Sequence, residues 1–221
     1  MRIYKLLTVV VFSFIIFVAC DKEKEVPIYE PPPLRDYATQ YNSDIAKIEN
    51  YLKTHSVNVT NNAGFPNDQD ATFASVPNLD PTSIWGSNPT TPQASLLSKI
   101  AVVGGVNHKI YYVKFRPGVG SSPMLSNRIK AQYKGFLIEN DLIFDSSPEI
   151  GTEFPLNQLI LGWQQVLPEF KMGTITNSTQ YADFGAGIMF LPSALAYYNQ
   201  SPGLVPAYSP LAFSIKLFNV I

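Results

Sequence analysis

The chain has 221 residues, 46% of them hydrophobic, which is enough apolar sequence for a real core in one or two domains. A formal net charge of −1 and the absence of a basic tract exclude the electrostatic footprint of a nucleic-acid-binding protein. Eighteen prolines and thirteen glycines favour turns and β structure over a helical bundle.

Met1 to Cys20 reads as a targeting segment outside the fold. Arg2 and Lys5 give it a positive start, Leu6 to Val18 is almost unbroken apolar sequence, and Phe17-Val18-Ala19-Cys20 ends it. The apolar run is shorter than the roughly 20 residues of a comfortable bilayer span. Small Ala19 before Cys20 resembles the lipobox of bacterial lipoproteins, with Phe17 departing from the usual Leu. That resemblance implies lipidation at Cys20, a membrane attachment through the amino-terminal lipid, and a place in the bacterial cell envelope. The outer membrane, the periplasmic face and the cell surface all remain open. The competing reading is an uncleaved anchor helix. Without Arg2 and Lys5 the chain keeps 14 basic against 17 acidic residues, a net charge of −3. Cys20 is the only cysteine, so no intrachain disulfide can form.

Residues 21–33 read as a linker. Asp21 to Glu25 is a solvated charged run, and Pro27, Pro31, Pro32 and Pro33 make the rest extended and semi-rigid. Residues 34–104 form an amino-terminal region. In it Tyr37, Tyr41, Ile45, Ile48 and Leu52 recur at helical spacing, with Asp36, Asp44, Lys47, Glu49 and Lys53 mostly on other faces. This amphipathic helix docks either on its own domain or on a partner, including a second copy in a homodimer. Asn61 to Gly64, Pro66 to Asp68, Asn78 to Pro81 and Ser83 to Pro92 carry turn signals, with a short strand expected around Thr72 to Val76. His55 and His108 are lone and read as surface or strand residues rather than ligands. No metal-ligand spacing and no phosphate-binding loop is present, so no metal and no cofactor is expected.

Residues 105–221 read as the main domain. Lys109 to Phe115 has β character, and Ile129, Ala131 and Tyr133 alternate along the next strand. Asn140-Asp141 turns the chain into Leu142-Ile143-Phe144, a hairpin. Phe154 and Leu156 share one face of a short extended piece. Asn157 to Val166 is a helix candidate with Leu159, Ile160 and Trp163 on one side. Ile188 to Pro192 and Leu211 to Val220 are the last strands. The result is an α+β plan, an antiparallel sheet with one short helix and an aromatic-rich face.

These residues resemble the FK506-binding-protein type of peptidyl-prolyl isomerase. The resemblance rests on Tyr133-Lys134-Gly135-Phe136-Leu137, Phe144-Asp145-Ser146-Ser147, Phe154-Pro155-Leu156, Leu159-Ile160-Leu161-Gly162-Trp163, Phe190 to Tyr197 and Val205 to Phe213, in family order over roughly half the chain. It implies a bent antiparallel sheet wrapped over a short helix, and a pocket with Trp163 as its floor. Tyr133, Phe144, Phe154, Leu159, Ile160 and Phe213 would wall it. Asp145 and Tyr197 would be its polar, catalytic rim, with Leu204 and Val205 on a flap above. The implied activity is cis–trans isomerisation of X-Pro bonds in exported or envelope client proteins; the alternative is a binding or chaperone module with weak turnover. Three places depart from the family. Thr152 replaces an aromatic, Tyr198 stands where glycine is usual, and residues 177–187 look inserted, with Tyr181 and Phe184 expected as a lip near the site.

Overall fold

The computed structural model describes residues 32–62, 65–86, 95–177 and 180–221. The targeting segment, Cys20 and most of the linker lie outside the described residues. Helix α1, Tyr37–Thr54, starts at Asp36, whose carboxylate accepts from the Thr39 amide at 2.8 Å and so satisfies a free amide of the first turn. Strands β1, His55–Asn62, and β2, Phe65–Ser75, follow as an antiparallel hairpin. Then come β3, Leu96–Val103; β4, Val106–Arg116; β5, Arg128–Leu137; β6, Ile143–Ser146; and β7, Thr152–Pro155. A 3-10 turn, Leu156–Gln158, leads to helix α2, Leu161–Val166. Two-residue strands β8, Thr174–Ile175, and β9, Tyr181–Ala182, precede β10, Gly185–Leu191, and β11, Leu211–Val220.

The main sheet runs β3-β4-β10-β11-β5-β6, all antiparallel, with β7 also on β5. Alternation along the strands sorts its side chains onto two faces. Ile110, Tyr112, Ala131, Met189, Leu191, Phe213 and Ile215 form a core with α2 through Trp163 and Val166. Tyr111, Val113, Phe115, Ile188 and Phe190 form a second core with Ile48, Tyr51 and Leu52 of α1 and Val57 of β1. The helix expected from the amphipathic stripe is therefore packed on its own sheet. The line drawn between residues 104 and 105 falls in the turn of the β3–β4 hairpin, so the main sheet takes its first strand from the amino-terminal region.

The buried face of α1 also differs from the apolar stripe. Gln40 and Asp44 are buried with Ile48, Tyr51 and Leu52, whereas Tyr37, Tyr41 and Ile45 are only half-buried. Asp44 is held by Ser193, whose amide and hydroxyl donate to it at 2.8 Å and 2.6 Å. Lys216 of β11 is likewise buried on this side, paired with Asp68 and, at 2.8 Å, with Asp70 of the β1–β2 hairpin. His108 of β4 is buried against the Tyr41 ring at 4.9 Å, and burial pushes its pKa down. His55 stacks on Tyr51 at 3.9 Å. The lip expected from residues 177–187 is not one: Tyr181 stacks on Phe218 at 5.0 Å and Phe184 meets the same ring at 4.8 Å. Phe218 is at the far end of β11 from Phe213, so these aromatics form a cluster of their own away from Trp163.

Candidate active site

On the α2 side of the sheet, four aromatic rings gather about Trp163. The Trp163 ring, in a residue only 4% exposed, is approached nearly edge-on by Tyr133 at 5.3 Å, Phe213 at 5.4 Å and Phe154 at 6.4 Å. Phe144 meets Phe213 at 5.6 Å and 89°. Such T-shaped pairs place ring edges against π faces and fix each ring's orientation. Leu159, Ile160 and Tyr197 pack at the margin of the same cluster, and Val205 is buried within it. Leu204 is the exception, 61% exposed and outside the cluster. Of the two flap residues expected, Val205 belongs to the core and Leu204 faces solvent.

Two glycines make the arrangement possible. Gly135 pairs with Asp145 across β5 and β6, and a Cβ there would lie 2.6 Å from the tip of Phe144 and 2.8 Å from Phe213. A Cβ on Gly162 would sit 2.4 Å from the Leu191 side chain, which would have to move for α2 to keep its place on the sheet. The two residues before α2 are extended, which turns Leu159 and Ile160 toward the aromatics; Ile160 then accepts from the Trp163 amide at 3.0 Å as the helix begins. Gln164 fixes this approach by donating to the Leu159 carbonyl at 2.7 Å. A lone glutamine on a short helix gave no sequence signal for that role.

The polar rim is built from three elements. The Tyr133 hydroxyl of β5 donates to Asp145 of β6 at 2.7 Å. Ser147 closes the corner after Asp145, accepting from the Tyr133 amide at 3.0 Å and donating its own amide to the Tyr133 carbonyl at 3.0 Å. Tyr197 comes from the loop between β10 and β11, half-buried against the cluster. Burial, and then the negative charge of Asp145, push the Tyr197 hydroxyl above its ordinary pKa. Burial and the Asp145 hydrogen bond do the same for Tyr133. Both hydroxyls stay protonated at neutral pH and remain donors beside one carboxylate.

Tyr198 follows directly and adopts φ 49. A positive φ favours glycine, which accounts for the glycine usual at this place. Here the tyrosine ring is buried and stacks on Tyr37 at 4.6 Å, while its hydroxyl donates to the Arg35 carbonyl. This departure therefore faces α1, not the aromatic well. Thr152, the other departure, is in β7 opposite Ala131.

Residues 120–218 match the family model described as FKBP-type peptidyl-prolyl cis-trans isomerase. The peptidyl-prolyl cis-trans isomerase Mip of Coxiella burnetii is 33% identical over 114 residues, 50% of this chain and 44% of that protein. FK506-binding protein 1 of Eremothecium gossypii is 31% identical over 113 residues, 48% of this chain and 89% of that protein. A solved peptidyl-prolyl cis-trans isomerase of Pseudomonas syringae has a TM-score of 0.44 and 26% identity, with 59% of this chain and 82% of that one covered. The chain thus spans less than half the length of the Mip relative and most of the shorter one.

Proposed function

Because the chain belongs to the FKBP-type peptidyl-prolyl cis-trans isomerase family, we propose that it isomerises X-Pro bonds of exported or envelope proteins. The observation that carries this reading is the aromatic cluster around Trp163, with Asp145 and Tyr197 at its margin.

The reaction breaks no bond. Its barrier is the amide resonance lost on twisting, about 18–20 kcal/mol, and uncatalysed exchange takes tens to hundreds of seconds. A proline ring seated on Trp163 puts its imide against Tyr133, Phe144 and Phe213, where water is excluded. The planar amide is the more polar form, so desolvation costs it more than the twisted state and lowers the barrier between them. The Tyr197 hydroxyl donates to a substrate carbonyl and holds the chain while the bond turns. Asp145, oriented by Tyr133, faces the twisting imide. A thousandfold acceleration needs only about 4 kcal/mol, within reach of a shaped surface and two or three hydrogen bonds. No step requires a general base.

The test is a proline-peptide isomerisation assay on wild type, Asp145→Ala and Phe213→Ala. Each variant should lose about tenfold or more in kcat/KM, the order expected when groups acting on the transition state are displaced. Equal rates in all three proteins would sink the reading, and peptide binding without turnover would make the chain a binding module. The envelope location rests on the amino-terminal segment. Labelling with a radioactive fatty acid should mark wild type and not Cys20→Ser; label on both would rule out lipidation there. No described helix is long and apolar enough to cross a membrane.

A further inference from the structure

Helix α1 holds, from behind the sheet, both loops that deliver the polar site residues. Its first half grips residues 192–210, which carry Tyr197 and Val205. There Asp44 takes both donors of Ser193, and the Gln40 amide donates to the Tyr208 carbonyl at 3.2 Å. Just before the helix, Arg35 lies over the Tyr208 ring at 4.2 Å, and its amide donates to the Tyr208 hydroxyl at 3.1 Å. That hydroxyl donates in turn to the Pro33 carbonyl at 2.5 Å. The second half of α1 grips the turn between β5 and β6. The Tyr51 hydroxyl donates to Asp141 at 2.8 Å, and Lys47 stands 3.9 Å from Glu139. Phe144 and Asp145 follow directly from that turn.

The backbone at these grips is held against its own preference. Tyr198, Tyr208 and Asp141 have φ of 49, 61 and 58. For tyrosine this region is uncommon and is occupied only where other contacts fix it. Glycine would be locally easier at residue 198, so what tyrosine adds there is its side chain: the stack on Tyr37 and the bond to Arg35. Two of the grips sit within four residues of a rim group, Tyr198 beside Tyr197 and Asp141 ahead of Asp145.

We propose that α1 is a positioning element of the site, a strut about 27 Å long at the usual rise per residue, whose two ends set where Tyr197 and Asp145 stand. Tyr198 and Tyr51 are its positioning residues. The kinetic consequence rests on the isomerase reading; the structural one does not.

The experiment compares full-length wild type with Tyr198→Gly, Tyr51→Phe, Asp141→Asn, and the exposed helix control Ser43→Ala. Hydrogen exchange is read at residues 196–205 and 142–146, and kcat and KM are measured on a proline peptide. Tyr198→Gly should speed exchange in the first window alone, and Tyr51→Phe in the second alone. Both should lower kcat/KM by about tenfold, because displacing a reacting group by an ångström costs that much or more; Tyr51→Phe should melt close to wild type, while Tyr198→Gly, which empties a buried ring site, should melt several degrees lower with its exchange change still confined to the first window. Asp141→Asn keeps both the acceptor and the tolerance of positive φ, so it should behave as wild type, as should Ser43→Ala. The proposal is overturned if neither variant lowers kcat/KM, or if exchange rises evenly across the whole sheet. An inactive wild type would instead sink the isomerase reading, and unchanged exchange windows would still overturn the strut.

Discussion

Replacing Asp44 by alanine probes the most buried carboxylate among the described residues. Its carboxylate accepts from the Ser193 amide at 2.8 Å, the Ser193 hydroxyl at 2.6 Å and the Gln40 amide at 2.7 Å. In Asp44→Ala, Gln40 keeps its bond to the Tyr208 carbonyl, but both Ser193 donors are stranded in a fully buried residue. Each unsatisfied buried donor costs about 1–3 kcal/mol, and removing the buried charge recovers part of that, so the net loss is about 3 kcal/mol. For a chain of this size that lowers the melting temperature by about 6–12 °C. Asp44→Asn retains one acceptor for Ser193 and should lose about half as much. Burial raises the Asp44 pKa above 3.8 despite the Ser193 and Gln40 bonds. A carboxyl with a raised folded pKa gives stability that is full below the unfolded value and lost as pH rises through the folded one. The deficit of Asp44→Ala should therefore widen on acidification toward 3.8. Urea unfolding, followed by tryptophan fluorescence at neutral and mildly acidic pH, measures all of this. A loss below about 1 kcal/mol, or an asparagine variant no better than alanine, would refute the assignment of Asp44 as the acceptor for Ser193.

Glu169 should show the opposite pH dependence. The Lys99 hydrogen bond at 2.9 Å, opposed by burial and helped by the Lys99 and Lys114 charges, holds its pKa below 4.5. The deficit of Glu169→Gln in the same melts should be present at neutral pH and fade as pH falls from 4.5 through the folded value; a deficit independent of pH would contradict it. Gly135→Ala forces a Cβ between Phe144 and Phe213 and should cut kcat/KM by about tenfold on a proline peptide. Its melting temperature should drop by only a few degrees, since ring tips can yield where backbone cannot; an unchanged rate would show that these walls do not shape the reacting state. Tyr133→Phe removes the bond to Asp145 and keeps the ring, so it should lower kcat severalfold at nearly constant stability. A rate equal to wild type would remove Tyr133 from the rim.

The strands and their aromatic face were legible in the sequence because they are written in local period. Ile129, Ala131 and Tyr133 alternate on β5, and Leu211, Phe213, Ile215 and Leu217 on β11, so one face could be read from each strand alone. The clustering of these faces followed from the ordered motifs. Asp44 and Lys216 were not legible. A buried charge is tolerated only beside its partner, and Ser193 and Asp68 stand 149 and 148 residues away in sequence. The same limit governs Tyr181 and Phe184, whose aromatic partner, Phe218, is at the end of the chain. The exposure of Leu204 beside buried Val205 was not legible either, because a turn has no period that tells which of two neighbouring side chains is covered.

The long reach of α1 also bears on how the chain acquires its structure. The helix is made before the sheet during synthesis, yet what holds it includes Asp44 on Ser193, Gln40 on Tyr208, and the Lys216 pairing that ties down the neighbouring hairpin. Strand β4 likewise waits for β10. Loop closure over such separations must precede most of the stabilising contacts, so the folding rate should be set by non-local pairing rather than by helix formation. Until the last strand is available, α1 and the β1–β2 hairpin leave their apolar faces open. Before its own sheet closes, a chain of this design presents apolar surface of the kind that folding helpers bind.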